Sequence, residues 1–228
     1  MTNSLTPPPL RAPRTQSRDT RRTQLLEATL ATIAERGYSR TTLTEVARRA
    51  GLSHGLVLFH FETKEKLFAE ALDYLSDEYA NNWQSALADA GPAPEEKLAA
   101  LIRADFDPQV CRPDRLFSWC AFWAESQSRP LCQSRCGAND ERYNAVLEDI
   151  CAQINSAHDY STDPVRAARL IRITIEGTWL ELMTMVNPYD QQEALLTVWT
   201  CTSGLYPRHF GPDGPLFSTP EATTPHQG

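Results

Sequence analysis

The chain has 228 residues, with 22 Lys and Arg against 29 Asp and Glu, a formal net charge of −7. That length leaves room for one or two domains with a real core, and the absence of any run of 18 apolar residues excludes a helical membrane span. The polar, Pro-rich start fits no signal peptide, so a cytoplasmic protein is expected, with reduced thiols at Cys111, Cys120, Cys132, Cys136, Cys151 and Cys201. The charge is unevenly divided: residues 1–66 hold 11 Lys and Arg against 6 Asp and Glu, and residues 67–228 hold 11 against 23. A basic head on an acidic body aims the head at phosphate and keeps the body off it.

Residues 1–18 lack apolar periodicity and are expected to form a disordered basic arm. Arg11, Arg14, Arg18, Arg21 and Arg22 suit either a minor-groove or phosphate-seeking extension or a solvated tail. A first helix is predicted from Asp19 to Arg36, with Leu26, Leu30, Ile33 and Ala34 on its inner face and Gly37 just past its end. Thr42-Leu43-Thr44-Glu45 reads as a capping box; Val46, Ala47 and Ala50 follow as a short apolar face, and Gly51 supplies the left-handed residue that ends the helix. After a turn of three residues Ser53 caps a second short helix, His54 to about Phe61. Two short helices joined so tightly make a helix-turn-helix unit, whose second helix lies in the DNA major groove.

From Thr63 a long helix carries Phe68, Leu72, Leu75, Tyr79, Trp83 and Leu87 on one stripe and links head to body. Further helices are predicted at about 95–106, 113–128, 131–155, 163–186 and 191–205, separated by Pro108, Pro130, Asp163-Pro164 and Asn187-Pro188. With no strand pattern, the expected fold is all-α: a three-helix DNA-binding head over 19–66, a helical effector-binding and dimerisation body over 67–206, and a disordered tail over 207–228.

Gly51-Leu52-Ser53-His54-Gly55 also fits G-x-S-x-G, the nucleophile elbow of hydrolases. That elbow needs a strand before its Ser, whereas Leu43 to Ala50 is capped and helical in pattern, so the hydrolase reading is rejected. Cys132 and Cys136 share a helix face, but no His follows at ligand spacing and a structural zinc site wants four protein ligands. No metal or cofactor is expected, and small buried residues are the better reading.

A-R-R-A-G-L-S-H-G followed by H-F-E-T-K-E-K-L-F resembles the DNA-binding domain of TetR-type regulators, with Gly37, Thr41, Thr42, Ala47, Ala50, Gly51, Ser53, Gly55, His60, Phe61, Lys64 and Leu67 in the family's pattern. It departs at Leu58, where the family usually places a phosphate-contacting Tyr. The DNA-binding set is Thr41, Thr42, Ser53, His54, Gly55, Leu56, Leu58, Phe59, His60 and Lys64. His54, Gly55 and Leu56 open the reading helix, Lys64 suits a phosphate, and His60 suits either a phosphate or packing at the helix end. In the body, residues 119–124 (W-C-A-F-W-A), Pro130-Leu131, residues 139–143 (N-D-E-R-Y) and residues 176–180 (E-G-T-W-L) are similar to the effector domain of BetI-type regulators, a branch that contains repressors of choline-to-glycine-betaine genes.

The resemblance implies a regulator rather than an enzyme. It implies a homodimeric repressor that holds a palindromic double-stranded operator and releases it on binding a small-molecule effector, choline or a related quaternary ammonium. The alternative is a regulator, repressor or activator, of unrelated genes with a different effector or none. Phe106, Phe117, Trp119, Phe122, Trp123 and Trp179, with Glu125 and Glu176 (and Glu181) as countercharges, are the candidate effector pocket. Aromatic faces attract a quaternary ammonium, although the same residues at helical spacing also fit plain core. The stripes Ala168, Ile171, Ile175, Trp179, Leu182 and Leu195, Trp199, Thr202 are expected to form a four-helix dimer interface.

Overall fold

A computed structural model describes residues 14–124, 129–185 and 190–217. Among the described residues, helices α1 (Arg14–Arg36), α2 (Leu43–Arg49), α3 (His54–Phe61), α4 (Lys64–Ala88), α5 (Pro94–Ala104), α6 (Pro113–Ala124), α7 (Arg129–His158), α8 (Pro164–Thr184) and α9 (Gln191–Leu205) are followed by a two-stranded ladder, β1 (Phe210–Gly211) on β2 (Gly214–Pro215). No described helix is long and apolar enough to cross a membrane.

Side-chain caps set the helix starts. Thr42 accepts from the Glu45 amide while Glu45 accepts from the Thr42 amide, the reciprocal capping box. Ser53, Thr63, Asp163 and Asp190 each accept from the amide three residues on, at the heads of α3, α4, α8 and α9. Gly51 has φ +64 where the chain turns from α2 to α3, a backbone state that L side chains rarely adopt.

The apolar faces gather into two cores. One takes Leu25, Leu30 and Ile33 from α1, Val46 and Ala47 from α2, Val57 and Phe61 from α3, and Leu67, Phe68, Leu72 and Leu75 from α4. Phe122 of α6 and Cys136 of α7 also belong to it, so the head does not close on its own three helices. The other joins Tyr79 and Trp83 of α4 to α5, α7, α8 and α9 through Leu101, Ile102, Tyr143, Leu147, Ile171, Ile175, Trp179, Val198 and Trp199. Helix α6 is pinned across α1: the Ser118 hydroxyl donates to Leu30 O at 3.0 Å, and the buried Arg115 guanidinium bonds Glu27 at 2.7 Å and Glu78 at 2.9 Å.

Three expectations are corrected. Helix α1 begins at Arg14, so residues 14–18 of the expected arm are helical. Residues 207–217 of the expected tail are ordered: Phe210 is buried and stacks on Trp199 at 5.8 Å, Tyr206 is buried, and Gly214 turns against the Trp199 ring. Aromatic anchors there outweigh a Pro- and Gly-rich composition, because each buried ring removes a large apolar area from water. The stripe Ala168, Ile171, Ile175 and Trp179 is buried in the chain's own core, as are Trp199 and Thr202. The large apolar residues that α8 turns outward are Val165 in its first turn and, on one face further along, Leu170, Ile173 and Leu180. Period 3.6 reveals a stripe but not which of two stripes faces inward.

Candidate nucleic-acid interface and effector cavity

The open face of the head is built by the start of α3. Ser53 caps the helix by accepting from the Leu56 amide, and His54 and Gly55 are exposed beside it. A Cβ at Gly55 would meet nothing within 4 Å, so no internal packing demands glycine there. Leu58 and Phe59 are exposed, Leu56 and His60 half-buried, while Val57 and Phe61 point into the head core. The His60 ring is held below its usual range by burial and by Arg18, Arg22 and Arg21, so at neutral pH it offers a hydrogen bond rather than a charge. Lys64 opens α4 with its ammonium donating to Ser39 O at 3.4 Å and 5.0 Å over the Phe68 ring. Two of the expected contacts are engaged within the head: Thr41 is buried with its hydroxyl donating to Gly37 O at 2.9 Å, and Thr42, though exposed, directs its hydroxyl at Glu45. Both serve the turn into α2, which is a reason for Thr at these positions that needs no DNA.

Ser53 follows a helix, not a strand, and its oxygen serves as an N-cap at 3.2 Å, so the elbow geometry a hydrolase requires is not formed.

In the body, a cavity of about 250 Å³ is lined by Tyr79 of α4, Trp119 and Trp123 of α6, Asp140 of α7, and Arg172, Glu176 and Trp179 of α8. Trp119 and Trp123, one helical turn apart, stack with centroids 5.9 Å apart. Trp179 meets Tyr79 edge-on at 5.8 Å and donates its indole N–H to Asp105 O at 3.0 Å. Beneath lies a fully buried carboxylate, Asp105, which accepts from the Tyr79 hydroxyl at 2.7 Å and the Tyr143 hydroxyl at 2.5 Å. Burial pushes the Asp105 carboxyl up to about 6, against the pull of Arg172 and the two phenols. Burial also works against the Arg172 charge, yet Tyr79, Tyr143, Glu176 and Asp105 together hold it well above its ordinary value. Its guanidinium bonds Glu176 at 2.7 Å and Tyr79 Oη at 2.7 Å, lies 3.8 Å from Asp140, and sits 4.5 Å from the Tyr143 ring centroid. The cavity thus already holds a cation on aromatic faces, and three carboxylates surround that single charge.

Of the residues expected in this pocket, Trp119, Trp123, Glu176 and Trp179 line it. Phe122 does not: it is fully buried in the head core, 5.7 Å from the Tyr38 ring. One residue along a helix turns the side chain by about 100°, which takes Phe122 away from the face of Trp119 and Trp123. Phe106 is buried in the body core just beyond α5, and Phe117 is exposed elsewhere on α6. Glu125 lies outside the described residues. Sequence reasoning missed Tyr79, Asp140 and Arg172 in the lining and Asp105 and Tyr143 below it. The Arg172–Glu176 pair at i, i+4 was the available signal. Cys136 packs in the head core, the side chain of Cys132 lies outside the described residues, and burial pushes the Cys111 thiol up to about 12 and that of Cys151 to about 11.

Fold and site together define a helix-turn-helix protein with a cavity in the helical body that packs against its head. Residues 25–71 match the family model "Bacterial regulatory proteins, tetR family", and residues 94–202 match "BetI-type transcriptional repressor, C-terminal". The chain is 31% identical over 185 residues to the HTH-type transcriptional regulator BetI of Paraburkholderia xenovorans, covering 81% of this chain and 93% of that protein. It is 33% identical over 187 residues to its counterpart in Burkholderia thailandensis, covering 80% and 92%. Among solved structures, a putative transcriptional regulator from Pseudomonas aeruginosa PAO1 superposes with a TM-score of 0.70 at 24% identity over 82% of this chain and 90% of that one. A TetR transcription regulator from Haloarcula marismortui superposes at 0.70 with 19% identity, over 82% and 98%. These two likenesses speak to the fold. The chain belongs to the TetR family of transcriptional regulators, in its BetI-type branch. It is a DNA-binding regulator, not an enzyme.

Proposed function

We propose that this regulator is a homodimeric repressor that releases a palindromic operator when a small quaternary ammonium compound, choline or a relative, enters the body cavity. The observation that carries the reading is the junction of Trp119, Trp123 and Trp179 with Asp140 and Glu176 around one cavity. Stacked indoles supply cation–π attraction, each contact about 0.5–2 kcal/mol, and the carboxylates supply countercharge. At about 250 Å³ the space suits a compact cation; drug-sized ligands occupy roughly 300–1,000 Å³.

Arg172 is the internal competitor. An entering cation takes over Glu176, Asp140 and the aromatic faces that the guanidinium now occupies, and Arg172 must give way. Tyr79 on α4 and Trp119 on α6 then transmit the change, because the same two helices carry Leu72, Leu75 and Phe122 into the head core. Moving the heads from binding to released state needs a few kcal/mol of differential affinity, about 5.5 for a near-complete switch. The outward residues Leu170, Ile173 and Leu180 of α8, with Gly177 allowing close approach, suit a two-fold helix pairing. Such a dimer sets two α3 helices one DNA turn apart.

The test is a titration of the operator complex with choline and with its uncharged carbon isostere, 3,3-dimethylbutan-1-ol. Release by choline alone supports the cationic cage. Equal release by both, or by neither, sinks it and leaves the branch with a different effector or none.

A further inference from the structure

We propose that Glu95, His158 and His209 form a binding site for a divalent transition metal, zinc foremost, which fastens the segment after α9 to the ends of α5 and α7. The three residues come from separate parts of the chain: the first turn of α5, the last residue of α7, and the stretch between α9 and β1. Each offers one ligand atom, and the three atoms lie within 4.8 Å of one another. Glu95 Oε2 and His158 Nε2 are 3.1 Å apart. That is close to the spacing of neighbouring ligands on a tetrahedral ion with bonds of about 2.0–2.1 Å. The His158 and His209 rings lie with centroids only 4.0 Å apart. An ion pair between Glu95 and His158 accounts for two of these residues, and the bond from the Tyr160 hydroxyl engages only Nδ1 of the third.

The surroundings supply an outer shell as well. The Tyr160 hydroxyl lies 3.0 Å from His209 Nδ1 and accepts from the Arg208 amide at 3.0 Å. With Nδ1–H donating to that oxygen, Nε2 keeps its lone pair for the metal, the arrangement by which an outer partner fixes a ligand tautomer. All three ligands are half-buried, which leaves a side open for water as the fourth ligand. Two imidazoles and a carboxylate suit zinc, and also cobalt and nickel, better than calcium or magnesium.

Chelator-stripped full-length protein should bind one zinc ion per chain by titration calorimetry, melt at a higher temperature with zinc, and give visible d–d bands with cobalt as the probe. His158→Ala, His209→Ala and Glu95→Gln should each lose the site, and Tyr160→Phe should weaken it about tenfold. No zinc binding at micromolar concentration, or zinc binding that survives both His variants, overturns the proposal.

A separate observation on α3 carries a second inference, which rests on the reading that α3 enters the major groove. We infer that this helix reads its operator chiefly through thymine methyl groups. Its eight residues, H-G-L-V-L-F-H-F, include no Arg, Lys, Asn, Gln, Asp or Glu. Its outward face presents Leu58, 40% exposed, and Phe59, 66% exposed, beside His54 and Gly55. Bidentate reading of guanine or adenine needs the side chains that are missing, and the apolar feature on a major-groove base edge is the thymine C5-methyl. Leu58 and Phe59 leave water only when such a surface covers them.

An operator is selected from random duplexes, then rebuilt with deoxyuridine for thymine, which deletes the methyl and keeps every hydrogen bond. Affinity should fall about fourfold per contacted methyl, and a Leu58→Ala/Phe59→Ala double variant should bind the thymine and uracil operators alike. Equal binding of both operators by the unaltered protein overturns methyl reading. A double variant that keeps full affinity and preference shows instead that α3 is not the reading element.

Discussion

Trp119 and Phe122 stand three residues apart on α6, yet one lines the body cavity and the other is sealed in the core of the head. A single rigid helix turn therefore joins the place where a ligand would sit to the packing that holds α1 and α4. Tyr79 and Leu75 on α4 repeat the relationship, one in the cavity wall and one in the head core. A shift of either helix is felt on both sides, since close-packed interiors transmit displacement rather than absorb it.

The aromatic residues should consequently separate by burial. Phe122→Ala, at 0% exposure, and Trp179→Ala, at 4%, should each cost roughly 3–5 kcal/mol of stability. Trp123→Ala, at 41% exposure, should fold nearly as the parent while losing most of its response to a quaternary ammonium. Thermal melts beside operator binding with and without choline read both quantities. A Trp123→Ala protein that melts like Trp179→Ala would make the whole cluster plain core.

The head was legible in the sequence because its signals are local. A capping box, a glycine with positive φ and a second cap fall within twelve residues, and each has one structural meaning. The cavity was legible only in part. Trp119 and Trp123 share a face by spacing, but the turn of the helix that removes Phe122 depends on where α1 lies. Asp105, Tyr143 and Arg172 meet through contacts between α4, α7, α8 and the residue that follows α5, which no window along the chain contains. The outward face of α8 was misread for the same reason: Ile171 and Ile173 are equally apolar, and only packing against α7 and α9 decides that Ile171 is the inner one.

Asp105 should give stability a pH dependence. Its carboxyl is raised from an ordinary 3.8 to about 6, first by burial. Between pH about 4 and 6 the folded chain holds a proton that the unfolded chain has released. The contribution is therefore fully present below about pH 4 and lost as pH rises through 6, a change on the order of 3 kcal/mol. Asp105→Asn, which cannot ionise, should flatten the slope of stability against pH in that window. Denaturant midpoints at pH 4.5, 5.5 and 7 compare the two proteins, and parallel curves would show that Asp105 does not titrate there. Protonation also removes a negative charge from beneath the cavity, so cation binding should weaken as pH falls below 6.

Two neighbouring isoleucines on α8 test the proposed dimer. Ile173 is 58% exposed and Ile171 is fully buried. Ile173→Glu should leave the fold intact but give a monomer by sedimentation, with operator affinity at least tenfold weaker because the two heads no longer bind together. Ile171→Ala should instead lower stability by roughly 2–5 kcal/mol and keep the oligomeric state. An Ile173→Glu protein that stays dimeric would place the interface elsewhere.

Lys64 should act on DNA through its charge rather than through base contacts. It stands at the head of α4, next to α3, with its ammonium holding the Ser39 carbonyl at 3.4 Å and donors to spare for a phosphate. Phosphate contacts fix register and carry no base information. Lys64→Ala should weaken binding to all operator sequences by a similar factor. The slope of log affinity against log salt should become shallower by about one unit. Since the same ammonium also helps hold the turn before α2, a melt must accompany the measurement to separate a lost contact from a loosened head. An unchanged salt slope combined with altered base preference would move Lys64 from the backbone to the bases.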